Sequence, residues 1–439
     1  MTTLLAFLFV LGVLIFVHEL GHFAAARRVG IRVLTFSLGF GPKLLKVKRG
    51  DTVYCISAIP LGGYVKMAGE NPKDVRTGAT DEFLSKSKWQ RFQVLIMGPA
   101  MNVALAIVVM AVVFYQGAPT PAYNKQAVVI GGVGAESPAK AAGLAPGDRI
   151  IAVDRDPVRD WEDFLITVGP KASREVTITV DRGGSTLDLH MTPAPQGRYK
   201  TGDIGAFPVF NPQVESLTAG GAAEAAGLTV GDVVIAANGE VNVTYQRVLE
   251  LIQLHPDQPL ALQVRRGASI HDVAVTPRKS GESARIGANF DIEHTQVHPG
   301  IAGSINMSLA QNWDWAKLIG KTLKGLFTRD TPFNQMMGPL GIAEVSGSMA
   351  EAGWISLLTF MALLSLNVGL FNLLPVPVLD GGHITIMALE GVARQDFSFD
   401  VKMKMMRVGL VLLLALMGTV IYNDIARLEW VQRLVMGAG

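Results

Sequence analysis

Residues 4–26 read LLAFLFVLGVLIFVHELGHFAAA. Leu4 to Val17 is an unbroken run of apolar residues and Gly, and helix-forming residues continue it to Ala26. At ~1.5 Å per residue the stretch reaches about 34 Å, enough for a hydrocarbon core about 30 Å thick. A membrane span is therefore expected. The competing reading is a signal peptide cut after Ala24-Ala25-Ala26. Against it, Met1-Thr2-Thr3 carries no Lys or Arg, and His18, Glu19 and His22 interrupt the apolar run before that site.

Those three residues carry the chemistry of the stretch. Positions four apart share a helix face, so His18 and His22 can aim ring nitrogens at one point about 2.0–2.1 Å from each, as a zinc clamp requires. Glu19 sits a fraction of a turn away, where its carboxylate can reach an attacking water without displacing a ligand. Gly21 leaves room for another chain. Ionisable side chains inside a span are costly unless they coordinate something or line a wet cavity, which marks this set as functional.

Outward from this segment, the whole chain fits a membrane protein. Hydrophobic residues make up 49% and charged residues 17%, below the roughly 25% of soluble domains. Further spans are expected from Val94 to Tyr115, Trp354 to Leu374 and Val408 to Ile421. Between Arg27 and Arg91 there are 13 Lys+Arg against 5 Asp+Glu, and Arg394, Lys402, Lys404 and Arg407 precede the last span. The positive-inside rule then places both loops in the cytoplasm and both termini and the long central segment outside. The net charge of +2 gives no reason to expect a nucleic-acid partner, and Cys55, the single cysteine, excludes an intrachain disulfide.

The central segment is a tandem repeat. At an offset of 84 residues, Ala139-Lys-Ala-Ala-Gly143-Leu144-Ala-Pro-Gly147-Asp148 falls on Ala223-Glu-Ala-Ala-Gly227-Leu228-Thr-Val-Gly231-Asp232. Arg182-Gly183 falls on Arg266-Gly267 in the same register. Each copy, 125–195 and 208–280, reads as a short helix closed by Gly, a Gly-Asp turn, a buried strand, a second helix (Trp161 to Val168, and Tyr245 to Leu254) and a hairpin at Arg-Gly. This pattern resembles PDZ domains, sheet-and-helix modules that accept extended peptides, C-termini among them, at a sheet edge. Pro193 to Pro212 reads as the hinge between the copies. Residues 300–350 read as amphipathic helix, suited either to the membrane surface, with Trp313 and Trp315 at the interface, or to packing on the PDZ-like pair.

A catalytic zinc needs a third protein ligand. The third span ends in Asn372-Leu-Leu-Pro375-Val-Pro377-Val-Leu-Asp380-Gly381-Gly382-His383, on the same side of the membrane as His18. Prolines stop the helix and glycines permit a tight return, so Asp380 or His383 can fold back to the metal.

The combination of HELGH in a first span, NxxPxPxLDG at a third, and tandem PDZ domains between the second and third resembles the site-2 proteases, in the bacterial type that regulates sigma-E. The resemblance covers essentially the whole chain. It implies an inner-membrane zinc endopeptidase with an α-helical body of four spans at 1–26, 94–116, 354–383 and 408–424. Residues 27–93 would be a membrane-associated β-region, and two α/β PDZ-like domains would lie outside, in the periplasm. Among ligands it selects Asp380 beside His18 and His22, with Glu19 as general base. It implies that Asn372 and the strip Gly63, Tyr64, Val65, Lys66 and Met67 hold substrate. Implied substrates are pre-cut anti-sigma factors and remnant signal peptides, each a single span in the bilayer. The alternative of a different class is a membrane-anchored PDZ scaffold with a vestigial metal site, which would have no use for Glu19.

Overall fold

The computed structural model describes residues 2–70, 78–117, 119–121, 126–197, 200–241, 243–280, 283–296, 299–328 and 336–427. Two compact units emerge: residues 119–297 with 329–331 form one, and the rest of the chain forms the other.

The larger unit begins with α1 (Thr2–Arg28), whose last turn carries Arg27 and Arg28, favourable charges at the negative end of the helix dipole. Two long antiparallel strands follow, β1 (Val33–Arg49) and β2 (Thr52–Met67), closed where Arg49 pairs with Thr52. Residues 35–38 of β1 pair twice, with Val53 to Ile56 on one side and Gly63 to Lys66 on the other. Residues 53–56 pair in turn with 45–48, so the two bent strands make a four-ribbon sheet in the order 43–49, 52–57, 35–38, 63–67, with 63–67 along one edge. The bend of β2 before that edge is at Gly62, whose φ of +127° suits glycine. The inner face, with Val33, Phe36, Val65 and Met67, packs on Ala25, Ala26 and Val94 in one apolar cluster. Leu44, Leu45 and Val47 stay exposed beside Lys43, Lys46 and Lys48.

Helix α2 (Lys88–Tyr115) starts with a capping box between Ser87 and Gln90. It crosses α1 closely. A Cβ at Gly21 would strike the Met97 carbonyl, and one at Gly98 would strike the His22 ring. Small residues at such a crossing let backbones approach, as membrane helices require.

In the second unit each repeat folds alike. The first has α3 (Pro138–Ala141), α4 (Trp161–Val168) and a sheet built on Arg149–Val153, Val176–Arg182 and Ser185–Met191. The second has α5 (Ala222–Ala225), α6 (Tyr245–Leu254) and the equivalent strands Val233–Ala237, Leu260–Arg266 and Ser269–Val275. Both cores are dense, one around Trp161, Phe164 and Ile178, the other around Val248, Leu260 and Leu262. The same clasp locks each copy. Arg182 grips both oxygens of buried Asp148, at 2.6 and 2.7 Å, and the Gly143 carbonyl; Arg266 does the same to Asp232, at 2.7 Å twice, and to Gly227. These are PDZ-like folds.

The stretch read as a hinge is largely part of the first domain. Ala194–Gln196 pairs with Thr201–Asp203, and Ala206–Pro208 pairs with Ile130–Val133. Likewise Ala288–Ile292 returns to pair with Pro212–Leu217. The domains therefore reach beyond 195 and 280, because their closing strands are short, and in the first repeat carry Gly and Pro, and so read as loop.

Returning to the larger unit, the 300–350 segment is two helices, α7 (Gly300–Thr328) and α8 (Pro339–Glu351). The α7 helix packs on α2. Ser308 donates to the Ile107 carbonyl at 2.6 Å, and Ile319 packs with Ala106 and Leu366. Its polar Ser304, Ser308 and Asn312 are buried, whereas Ile301, Ile305, Leu309 and Trp313 are exposed. The amphipathic pattern is thus used with its polar stripe inward. Next come α9 (Trp354–Asn372), α10 (Asp380–Val392) and α11 (Phe399–Ala426). The α11 helix starts nine residues ahead of its apolar run, because Ser398 caps it and Lys402, Lys404 and Arg407 are good helix formers. Among the described residues four helices are long and apolar enough to cross a membrane: α1, α2, α9 and α11.

Candidate metal centre

Two elements from distant parts of the chain supply one site. His18 and His22 come from α1, one turn apart. Asp380 is the first residue of α10, after the turn that follows α9. That turn is held by its glycines: a Cβ at Gly381 would strike Leu373 and Leu374 carbonyls, and one at Gly382 the Val376 carbonyl. The chain thus folds back on itself with no side chain between its layers, which is what brings Asp380 to the histidines.

The geometry suits a metal ion. His18 Nε2 lies 3.2 Å from His22 Nε2 and 3.3 Å from Asp380 Oδ2, and His22 Nε2 lies 3.5 Å from the same oxygen. Ligand atoms of a tetrahedral zinc with bonds of about 2.05 Å stand about 3.3 Å apart, so the donor set fits the ion. The His22 ring is oriented from behind, its Nδ1 2.8 Å from the Val94 carbonyl. That carbonyl can only accept, so Nδ1 carries the proton and Nε2 presents a lone pair. The rings meet edge to face with centroids 4.8 Å apart. Glu19 is buried and within electrostatic reach of His18, His22 and Asp380. Its Cγ abuts Gly63, where a Cβ would come within 2.9 Å.

The other expected residues distribute differently. His383 lies outside the three-ligand cluster. Asn372 ends α9 and is half-buried, eight residues before Asp380. In the strip 63–67, Tyr64 stacks on Phe40 at 6.1 Å, whereas Val65 and Met67 are core residues, so what the strip can offer a partner is chiefly its backbone edge. One residue escaped the sequence reading. Asn102 of α2 is fully buried with its amide 3.3 Å from His18 Nδ1. A lone Asn in an apolar span was the available signal.

Comparisons with known proteins identify the family. Residues 6–416 match peptidase family M50. The chain is 35% identical over 448 residues to the "Regulator of sigma-E protease RseP" of Escherichia coli, covering 97% of this chain and 98% of that one. It is 34% identical over 449 residues to the protein of the same name in Salmonella typhimurium, with the same coverage. The PDZ domain of an SdrC-like protein of Listeria innocua aligns with 19% of this chain and 93% of its own at 22% identity and a TM-score of 0.18, too slight a likeness to bear on the fold. The chain is an inner-membrane protein that belongs to peptidase family M50, the zinc-dependent site-2 proteases.

Proposed function

We propose that this protein hydrolyses peptide bonds within transmembrane segments, with His18, His22 and Asp380 holding zinc and Glu19 as general base. The observation that carries this is the approach of three ligand atoms to within 3.2–3.5 Å of one another beside a buried glutamate, at least two of them inside a span. Bound there, zinc supplies Lewis acidity that polarises the scissile carbonyl and makes the attacking water more acidic. Glu19 takes the proton of that water and delivers it to the departing amine.

A helical substrate hides its peptide bonds and pairs its own backbone, so it must unwind first, and unwound backbone in lipid needs new partners. The edge strand 63–67, with Gly63 against Glu19, is suited to pair with it by strand addition. Asn372 at the end of α9 would help hold the substrate near Asp380. By the positive-inside rule the PDZ-like domains face the periplasm and the metal lies towards the cytoplasmic side. There the pair would exclude substrates with bulky outer domains. Two relatives are named as regulators of sigma-E, which points to a pre-cut anti-sigma factor as substrate in an envelope stress response, with remnant signal peptides as a second class.

The test is purified protein with a single-span substrate. Cleavage should stop with chelator and return with zinc; cleavage that persists in metal-free protein would overturn the reading.

A further inference from the structure

We propose that Asn102 is a positioning residue for the centre: its side-chain oxygen accepts the Nδ1–H of His18 and so turns the Nε2 lone pair of that ring toward His22 and Asp380. The inference rests on the zinc reading above and deepens it.

Asn102 is 0% exposed, its amide is 3.3 Å from His18 Nδ1, and its Oδ1 has no hydrogen-bond partner. A buried amide oxygen left without a donor is costly. The amide can present either end to the ring. With the NH2 facing His18, Nδ1 must accept, the ring proton moves to Nε2, and it then points at the space shared by His22 Nε2 and Asp380 Oδ2. No metal can be bound through a protonated nitrogen. With the oxygen facing His18, Nδ1–H donates, Nε2 is free, and the orphaned oxygen has its donor. This second arrangement repeats what the Val94 carbonyl does for His22. Both rings of the pair are then fixed in one tautomer by oxygens of α2, as outer partners of metal-binding histidines commonly do.

Asn102 is itself held in place. Ser365 of α9 donates to its backbone carbonyl at 2.7 Å, and Gly369 lets α9 lie against its Cβ, with 3.4 Å to a Cβ built there. The third span thus braces the residue that orients the first.

The experiment compares Asn102→Asp, which keeps an acceptor, with Asn102→Leu, which removes it, in the full-length protein. Zinc affinity is read by chelator competition. Isotope-labelled histidine NMR of the metal-free protein, at a pH where His18 is neutral, reports which of its nitrogens carries the proton. Expected are the Nδ1–H form in wild type and Asn102→Asp, its loss in Asn102→Leu, and zinc affinity lowered about 10–100-fold in Asn102→Leu alone. An Nε2–H form in wild type, or Asn102→Asp losing zinc as severely as Asn102→Leu, would overturn the proposal. Because the tautomer is read without metal, a wild type that has the Nδ1–H form but takes up no zinc refutes the metal reading and leaves the orientation by Asn102 standing.

Discussion

His22 Nδ1 lies 2.8 Å from the main-chain oxygen of Val94, so a peptide group of the second span sets the proton on a ring of the first. The orientation of the His22 ring is a property of two packed helices, and perturbing either should show in metal binding. His22→Ala is expected to abolish both metal content and cleavage. Glu19→Gln should keep the metal, since its amide occupies the same space, while cleavage falls by about 10²–10⁴-fold. Elemental analysis alongside a cleavage assay separates the two, and normal turnover by Glu19→Gln would refute Glu19 as the base.

A methyl group is enough to disturb the crossing. In Gly98→Ala the new Cβ meets the His22 ring, with His18 Cε1 at 3.0 Å, so the rings must shift. Metal affinity should drop at least tenfold. Gly12→Ala, also on α1 but with open space around it, is the matched control and should bind as wild type. Equal affinities in the two variants would show that the rings can move aside freely.

How much of this could be read from the chain alone follows from the range of the interactions. The His18/His22 clamp is local, one helical turn, and the duplicated core is written at a constant offset, so both were legible. Asp380 and His383 are three residues apart, and spacing could not choose between them; the choice is made by a turn whose glycines pack on carbonyls at 373, 374 and 376. Asn102 meets His18 across 84 residues of sequence, and α7 turns its polar stripe inward only because Ser308 finds the Ile107 carbonyl. Such pairings exist only once helices have packed.

The two Arg–Asp clasps predict that the unit built of the two repeats is acid-sensitive. The hydrogen-bonded Arg182 holds the Asp148 carboxyl below its usual range against the opposing effect of burial. At Asp232 burial pushes upward, and Arg266 with Thr229 outweighs it, so that carboxyl is lowered too. A carboxyl whose pKa falls on folding stabilises fully above the unfolded value of about 3.9, and this is lost as pH drops through the folded value. Amide protection in the repeats, taken relative to the intrinsic exchange rate at each pH, should therefore be high and even from pH 7 to 5 and fall below about pH 4. Asp148→Asn should flatten that dependence in the first repeat only.

Asp424 near the end of α11 accepts from the backbone N–H groups of Gly338 and Gly341, both at 3.0 Å, at the start of α8. A carboxylate there satisfies otherwise unpaired donors and the helix dipole together. Asp424→Leu is expected to cost about 1–3 kcal/mol of local stability by leaving those donors buried and unpaired. Exchange at the amides of Gly338 and Gly341 should rise, with that at α6 unchanged.

On one side the two imidazoles meet Gly98 of α2, where backbone lies against the rings with no side chain between. Rotamers cannot reshape that wall, and exchanges among residues far from it do not alter it. Divergence at the periphery can therefore run far while the space beside the rings keeps its dimensions on that side, and widening it there takes moving a helix.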